Sequence, residues 1–270
     1  MFSPKDRELE RGWPGRIEGD RVIQLAAQTL QSFFTGGGQA REHDEFPLAD
    51  VVLRPPILHP PSIRDFYAFE QHVRTARASR GLDVPAEWYE IPVFYFSNAA
   101  AVYGPDEEIP YPTGTEELDY ELELAAVIGV EGQIAGFTVM NDWSARDLQR
   151  AEMKVGLGPS KGKDFATSFG PVVVTIDEFD GTAGTMVARV NGEERSRGSV
   201  AGMHHSWQAI RDHAAINTRL LPGDILGSGT VGSGCILELG DGRWLQPGDV
   251  VELEIEGIGV LRNTVGPPAA

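Results

Sequence analysis

Apolar and polar positions along this chain alternate in short bursts rather than in long helical stripes. Residues 119–130 open as a strict alternation, Asp119-Tyr120-Glu121-Leu122-Glu123-Leu124, and pass into the apolar run Ala125-Ala126-Val127. That pattern predicts a strand with one polar face that becomes buried on both faces. Residues 134–140 read as its partner across Gly132, and 171–177, 185–191, 235–239 and 249–264 as further strands. Near the start, Arg16-Ile17 and Val22-Ile23-Gln24-Leu25 flank a Gly19-Asp20 turn and predict a hairpin. Helical spacing is rarer. It predicts a short helix in 25–34 and another over 63–80, which lacks Gly and Pro and has apolar residues at 66, 69 and 73. Helices are also expected over 144–154, with Asp142 near its start, and over 206–217.

The 32 Gly and 18 Pro fall in short clusters, the punctuation of many strands joined by tight turns. Gly36-Gly37-Gly38 and its polar flank to about residue 45 read as a mobile loop, and the four prolines of 55–61 as an extended connector. These divide a small N-terminal part, 1–54, from a main body, 55–270. The expected class is α+β: one β-rich body with a few short helices at its edges, without the strand–helix alternation of a doubly wound sheet.

Size and charge narrow the function. A chain of 270 residues buries enough core to need no staples. The single Cys235 excludes a disulfide framework and a Cys-ligated cluster. With 23 Lys+Arg against 40 Asp+Glu, the net charge of −17 argues against nucleic acid and anionic membranes as partners. The longest apolar runs, such as 124–130, fall far short of the ~20 residues of a membrane span. Residues 1–20 are charged and resemble no targeting segment, so a cytoplasmic protein is expected.

The candidate chemistry lies in carboxylates. On a strand Asp119, Glu121 and Glu123 share one face. From spacing alone the favoured reading is a solvated strand, because three adjacent acids repel one another. Asp142, at the end of the neighbouring predicted strand, can converge with them, although it can also simply cap the following helix. Oxygen-only ligands suit Mg²⁺, Mn²⁺ or Ca²⁺ rather than Zn²⁺. A single His72 in the 63–80 segment is, by itself, more often structural.

The conjunction of motifs resembles the fumarylacetoacetate hydrolase family over about residues 55–268. The matching runs are Asp65-Phe66-Tyr67 with His72, Ile91-Pro92-Val93-Phe94-Tyr95, Asp119-Tyr120-Glu121-Leu122-Glu123, Asn141-Asp142-Trp143-Ser144-Ala145-Arg146-Asp147-Leu148-Gln149, Gly162-Lys163, Gly227-Ser228-Gly229-Thr230 and Ile236-Leu237-Glu238-Leu239. The resemblance implies a mixed β-sandwich roll, partly folded on itself, with the site at its mouth. It implies a divalent metal, Mg²⁺ or else Mn²⁺ or Ca²⁺, on Asp65, Glu121, Glu123 and Asp142. It implies His72 as general base oriented by Glu238, with Lys163 and Gln149 facing the substrate. Tyr67, Tyr95 and Thr230 match substrate-contacting positions, and Arg80 is a further cation for an anionic substrate.

The activity so implied is metal-dependent hydrolysis of a C–C bond in a small anionic β-diketo acid, an acylpyruvate or a fumarylacetoacetate-like compound, by a homodimer. The alternative within the family is an isomerase or decarboxylase acting on 2-hydroxyhepta-2,4-dienedioate or oxaloacetate. A module holding structural Ca²⁺ is disfavoured, since such an ion needs neither His72, Lys163 nor Glu238. Two departures bear on substrate. Met153 stands where fumarylacetoacetases place a second tyrosine, and a loop one residue longer makes Lys161 a competitor for Lys163. His204-His205 reads as an exposed turn, Trp207 and His213 as packing, and Cys235 as an inert core thiol in a strand. Glu116-Glu117 and Glu193-Glu194 read as solvated turns.

Overall fold

Seven strands form the sheet that carries the chemistry, in a computed structural model that describes residues 1–268. Positions 269 and 270 of the expected 55–270 body lie outside the described residues. The order across this sheet is Phe94–Ser97, Ile63–Phe66, Ile225–Gly227, Leu122–Ile128, Ile134–Asp142, Thr167–Thr175 and Val102–Tyr103. A five-stranded sheet packs against it, ordered Glu193–Ser199, Thr185–Val190, Val250–Ile255, Gly259–Pro268 and Glu108–Tyr111. Strands thus dominate, with short helices at the edges, and the mixed two-sheet roll expected from the resemblance is what forms.

The Leu122–Ile128 strand explains the layering. Its even positions, Leu122, Leu124, Ala126 and Ile128, join the core between the sheets with Met186, Leu253, Ile255 and Leu261. Its odd positions Ala125 and Val127 enter a second apolar cluster on the other face, with Met140, Ile63, Ile57, Leu30 and Phe34. Each such aliphatic side chain contributes roughly 1.5–3 kcal/mol by leaving water. A central strand covered on both faces has to read as a continuous apolar run, as 124–128 does. Leu30 and Phe34 come from the N-terminal helix Leu30–Thr35, so the first residues pack onto the same sheet as the body.

Several local expectations are corrected. The 63–80 segment is not one helix: Ile63–Phe66 is a strand, and the helix begins at Glu70 and ends at Ala78. Strand pairing on both sides, parallel to Ile225–Gly227 and antiparallel to Phe94–Ser97, outweighs local helical spacing there. The predicted strand 235–239 is a single helical turn, Ile236–Leu239, closed by Gly240 at φ 67°. The 249–264 stretch is a hairpin of two strands turning at Gly257-Ile258. The N-terminal hairpin forms as Gly15–Glu18 with Arg21–Leu25, but its third strand, Glu42–Pro47, occupies part of the expected loop. The 144–154 helix is Arg146–Met153, with Ala145 rather than Asp142 at its N-cap.

Candidate active site and metal centre

Three strands of the seven-stranded sheet bring four acids together. Asp65 lies in Ile63–Phe66, Glu123 in Leu122–Ile128 and Asp142 at the end of Ile134–Asp142, while Glu121 immediately precedes the middle strand. One carboxylate oxygen from each lies within 4.8 Å of the others. Parity selects the face: Asp65 follows Ile63, Glu123 precedes Ala125 and Asp142 follows Met140, all members of the second cluster. The strand between them contributes Gly227, whose Cβ, if it had one, would stand 2.7 Å from Asp65 Oδ1 and 3.0 Å from Glu123 Oε2. The missing side chain is what leaves room for the acids.

The favoured reading of a solvated acidic face is therefore wrong. Asp119, Glu123 and Asp142 are fully buried and Glu121 is 4% exposed. Burial is the main force raising Asp65, Glu123 and Asp142 above the usual carboxylate range, and repulsion from the neighbouring acids adds to it. For Glu121 burial pulls the same way, but Lys163 and Arg146 outweigh it and hold the carboxyl low. Lys163 Nζ donates to Glu121 Oε2 at 2.6 Å and also to Asp142 Oδ2. The Tyr95 hydroxyl donates to that same Asp142 oxygen.

Asp119 leaves the group it was expected to share a face with. It accepts from the Ile236 and Leu237 amides at 2.7 and 3.0 Å and from Arg146 Nε at 2.8 Å. Arg146 Nη2 in turn donates to Glu121 Oε1 at 2.7 Å. Asp119 thereby anchors the helical turn bearing Glu238 to the acid cluster. Arg146 is a residue of the candidate site that sequence reasoning did not single out. Its signal is a cation inside the Ser144-Ala145-Arg146-Asp147 run, directly after a strand that ends in an acid.

His72 sits on the Glu70–Ala78 helix, buried, with Nδ1 2.8 Å from Glu238 Oε2. The ring is turned so that this contact is an ion-pair distance rather than an aligned hydrogen bond. Such alignment commonly completes only when substrate binds. Tyr67 packs edge-on against the imidazole, ring centroids 5.3 Å apart, and burial pushes its hydroxyl up to about 12.

Residues 62–266 match the family model described as fumarylacetoacetate (FAA) hydrolase C-terminal. The chain belongs to the fumarylacetoacetate hydrolase family. Among its relatives is the oxaloacetate tautomerase YisK of Bacillus subtilis (strain 168), 29% identical over 268 residues, spanning 92% of this chain and 84% of that one. A solved fumarylacetoacetate hydrolase from psychrophilic Exiguobacterium antarcticum is 27% identical, with TM-score 0.79 over 95% of this chain and 96% of that one. A 5-carboxymethyl-2-hydroxymuconate delta-isomerase from Mycobacterium smegmatis is 28% identical, with TM-score 0.73 over 94% of each chain.

The residues of this family member fit a hard divalent cation. The donors are all oxygen and all buried, and Asp65 Oδ1, Glu123 Oε1 and Asp142 Oδ1 meet no hydrogen-bond partner among the described residues. Asp65, Glu121, Glu123 and Asp142 would hold the ion. Of the remaining predicted residues, Lys163 is buried against the acids, while Lys161 is exposed and paired with Asp164 at 2.7 Å. Gln149 is half-buried and accepts from Arg146 Nη1 at 3.1 Å. The Thr230 hydroxyl is buried and unpartnered among the described residues. Arg80 is exposed and turns back onto the Ala76 carbonyl, although its charge still acts on the Tyr67 hydroxyl. Asp65 and His72 both fall in the segment expected as one helix, but Asp65 lies on a strand and His72 on the helix that follows it.

His204-His205 is also corrected. His205 is buried, with Nε2 2.8 Å from the Trp88 carbonyl, and only His204 is exposed. Among the described residues, no helix is long and apolar enough to cross a membrane.

Proposed function

We propose that this protein is a Mg²⁺-dependent enzyme that moves a proton at the carbon beside a carbonyl of a small anionic keto acid, through an enolate. The reaction favoured is tautomerisation of an oxaloacetate-type β-keto diacid or isomerisation of a 2-hydroxydienedioate. The observation that carries this reading is the placement of the His72–Glu238 pair against Tyr67, beside the four acids and Lys163. When bound, the cation supplies Lewis acidity that polarises the carbonyl and lowers the cost of the enolate. His72 takes the proton from carbon, and Glu238 orients its ring and stabilises the charge it gains. Tyr67, which packs edge-on against His72 and is kept protonated by burial, donates toward a substrate oxygen in this reading. Lys163 already gives two hydrogen bonds to acids and has a third proton for a developing oxyanion. The names borne by the Bacillus subtilis and Mycobacterium smegmatis relatives support proton transfer.

A second reading is hydrolysis of a C–C bond in a β-diketo acid, with His72 activating water. The likeness to the solved fumarylacetoacetate hydrolase supports it. Both readings need the same enolate and separate at water. Oxaloacetate, acylpyruvates and dienedioates assayed in ¹⁸O-water with Mg²⁺ and with EDTA distinguish them. Mg²⁺-dependent enol–keto interconversion without label in a new carboxylate is the expected outcome. One ¹⁸O in a newly formed carboxylate makes the enzyme a hydrolase.

A homodimer acting in the cytoplasm belongs to this proposal. The Phe94–Ser97 strand lies at an open edge of the large sheet, with Phe96 63% exposed and Val93 and Ile91 exposed beside it. Such an edge favours pairing with a second copy. The sole cysteine is a buried thiol, which suits a reducing compartment.

A further inference from the structure

We propose that His72, Cys235 and Glu238 form a second, softer metal site that takes Zn²⁺ or Co²⁺ and thereby disables the His72–Glu238 pair. The inhibitory half of this rests on the reading of that pair as the proton-transferring group; the binding half does not. A ligand atom from each of the three residues lies within 4.8 Å of the others. Glu238 Oε2 is the common point, 2.8 Å from His72 Nδ1 and 3.6 Å from Cys235 Sγ. The thiol comes from the residue that opens the helical turn carrying Glu238, so two donors share one rigid element.

A lone buried thiol would be no site. Here the neighbouring groups carry unused capacity. Glu238 Oε1 is buried and meets no hydrogen-bond partner among the described residues, the Glu238 side chain is 2% exposed, and His72 Nδ1 is held only by its unaligned contact with Oε2. The Gly234 amide, donating to Oε2 at 3.2 Å, competes for the carboxylate. Nitrogen, sulfur and carboxylate oxygen with a fourth position open is the donor set of an open zinc site, at about 2.0–2.3 Å from the ion. Small side-chain rotations bring the present triangle to those distances. The thiol S–H bond breaks, its proton passes to solvent, and a metal–thiolate bond forms; nothing is oxidised or reduced. The two metal sites are sorted by softness, since the four-carboxylate cluster is oxygen-only and this one contains sulfur.

The consequence is regulatory. An ion on His72 Nδ1 and Glu238 separates the imidazole from its orienting carboxylate and replaces it with a positive charge. Mg²⁺ has little affinity for such a donor set, so the carboxylate cluster keeps its own ion while the base is lost. Traces of soft metal then inhibit an enzyme that a hard metal activates.

The test uses the full chain, stripped with EDTA, reduced and saturated with Mg²⁺. Titration with Co²⁺ is expected to produce a thiolate-to-cobalt charge-transfer band in the near ultraviolet, at one equivalent. Cys235→Ser should abolish the band and leave Mg²⁺ binding unchanged. It should weaken Zn²⁺ binding about 10–100-fold or more, the scale at which even outer partners of ligands cost affinity. Glu238→Gln, which keeps the thiol, should weaken Co²⁺ binding in the same range with the band displaced. Co²⁺ binding without a thiolate band in the native chain overturns the site. Where activity is present, Zn²⁺ should inhibit the native enzyme and spare Cys235→Ser by about tenfold; equal sensitivity overturns the regulatory claim. If no keto acid is turned over, the proposed function has failed, while the cobalt spectrum still decides the site.

Discussion

Gly227 is the floor on which Asp65 and Glu123 meet. Its neighbours there are side-chain ends, so Gly227→Ala should fold and displace the carboxylates. Mg²⁺ affinity by calorimetry is expected to fall about 10–100-fold, as for other disturbances of ligand orientation. Unchanged affinity would mean that the cluster does not hold the ion. His72 is the complementary residue. It touches the pair rather than the cluster, so His72→Ala should leave Mg²⁺ affinity intact and lower kcat by about 10²–10⁴. Glu238→Gln should lower kcat less, because the imidazole remains. Parallel loss of metal affinity in His72→Ala would place the histidine among the ligands and contradict its role as the base.

The element that matters most is the Glu70–Ala78 helix, which delivers His72. It hangs between fixed points at its start: Trp88 Nε1 donates to the Tyr67 carbonyl at 2.8 Å, and Gln71 Nε2 donates to Ser233 Oγ at 3.2 Å. On its outer side, Glu70 accepts from Arg74 and Tyr89. These hydrogen bonds are few and mostly exposed, although the face bearing His72, Val73 and Ala76 is buried. A helix so tied is expected to open locally, below the global unfolding energy, and to serve as a lid over the site. Hydrogen exchange of the helix amides is expected to slow when a non-reactive keto-acid analogue and Mg²⁺ bind. Trp88→Phe, which loses the indole donor but keeps an aromatic ring, should speed that exchange in the free enzyme. Equal protection free and bound would count against a lid.

At the scale of the molecule, buried acids set the response to pH. Burial and mutual repulsion hold Asp65, Glu123 and Asp142 above the usual carboxylate range. Without metal, the native state binds more protons than the unfolded chain from about pH 4 up to those raised values. Its stability therefore falls as pH rises through that window. Glu121 has the opposite shift, and its contribution is already complete above its ordinary range. The Tm of EDTA-treated protein should drop as pH rises above the ordinary carboxylate range, and Mg²⁺ should flatten the curve by favouring the ionised acids. A metal-free Tm that rises there would refute the raised acids. For assembly, light scattering should give twice the 29.3 kDa chain mass, and Phe96→Glu should shift it toward the monomer. A monomeric native chain would remove the dimer from the proposal.

The line between what the chain dictated locally and what the fold decided runs through these residues. Strand periodicity made the 122–128 strand and its partner legible, because covering both faces of a central strand demands an unbroken apolar run. The motifs around Asp65, Glu121, Glu123 and Asp142 made the acid cluster legible as a resemblance, and the structure places those four side chains together. Spacing alone pointed the other way, toward a solvated face, because burial of an acid is not written in its immediate neighbours. The strand at Ile63–Phe66 was hidden for a related reason: its pairing partners stand about thirty and one hundred and sixty positions away, at Phe94–Ser97 and Ile225–Gly227. Asp119 and Glu121 share a parity and a sequence neighbourhood, yet one anchors a helical turn while the other joins the cluster. Arg146 and the turn of Ile236–Leu239 make that division, and both arrive from distant parts of the chain. Local pattern therefore determined most of the elements, and the motifs, through the resemblance, the kind of chemistry. Long-range pairing, which alone brings charges into one low-dielectric space, decided which acids, which lysine and which histidine make the site.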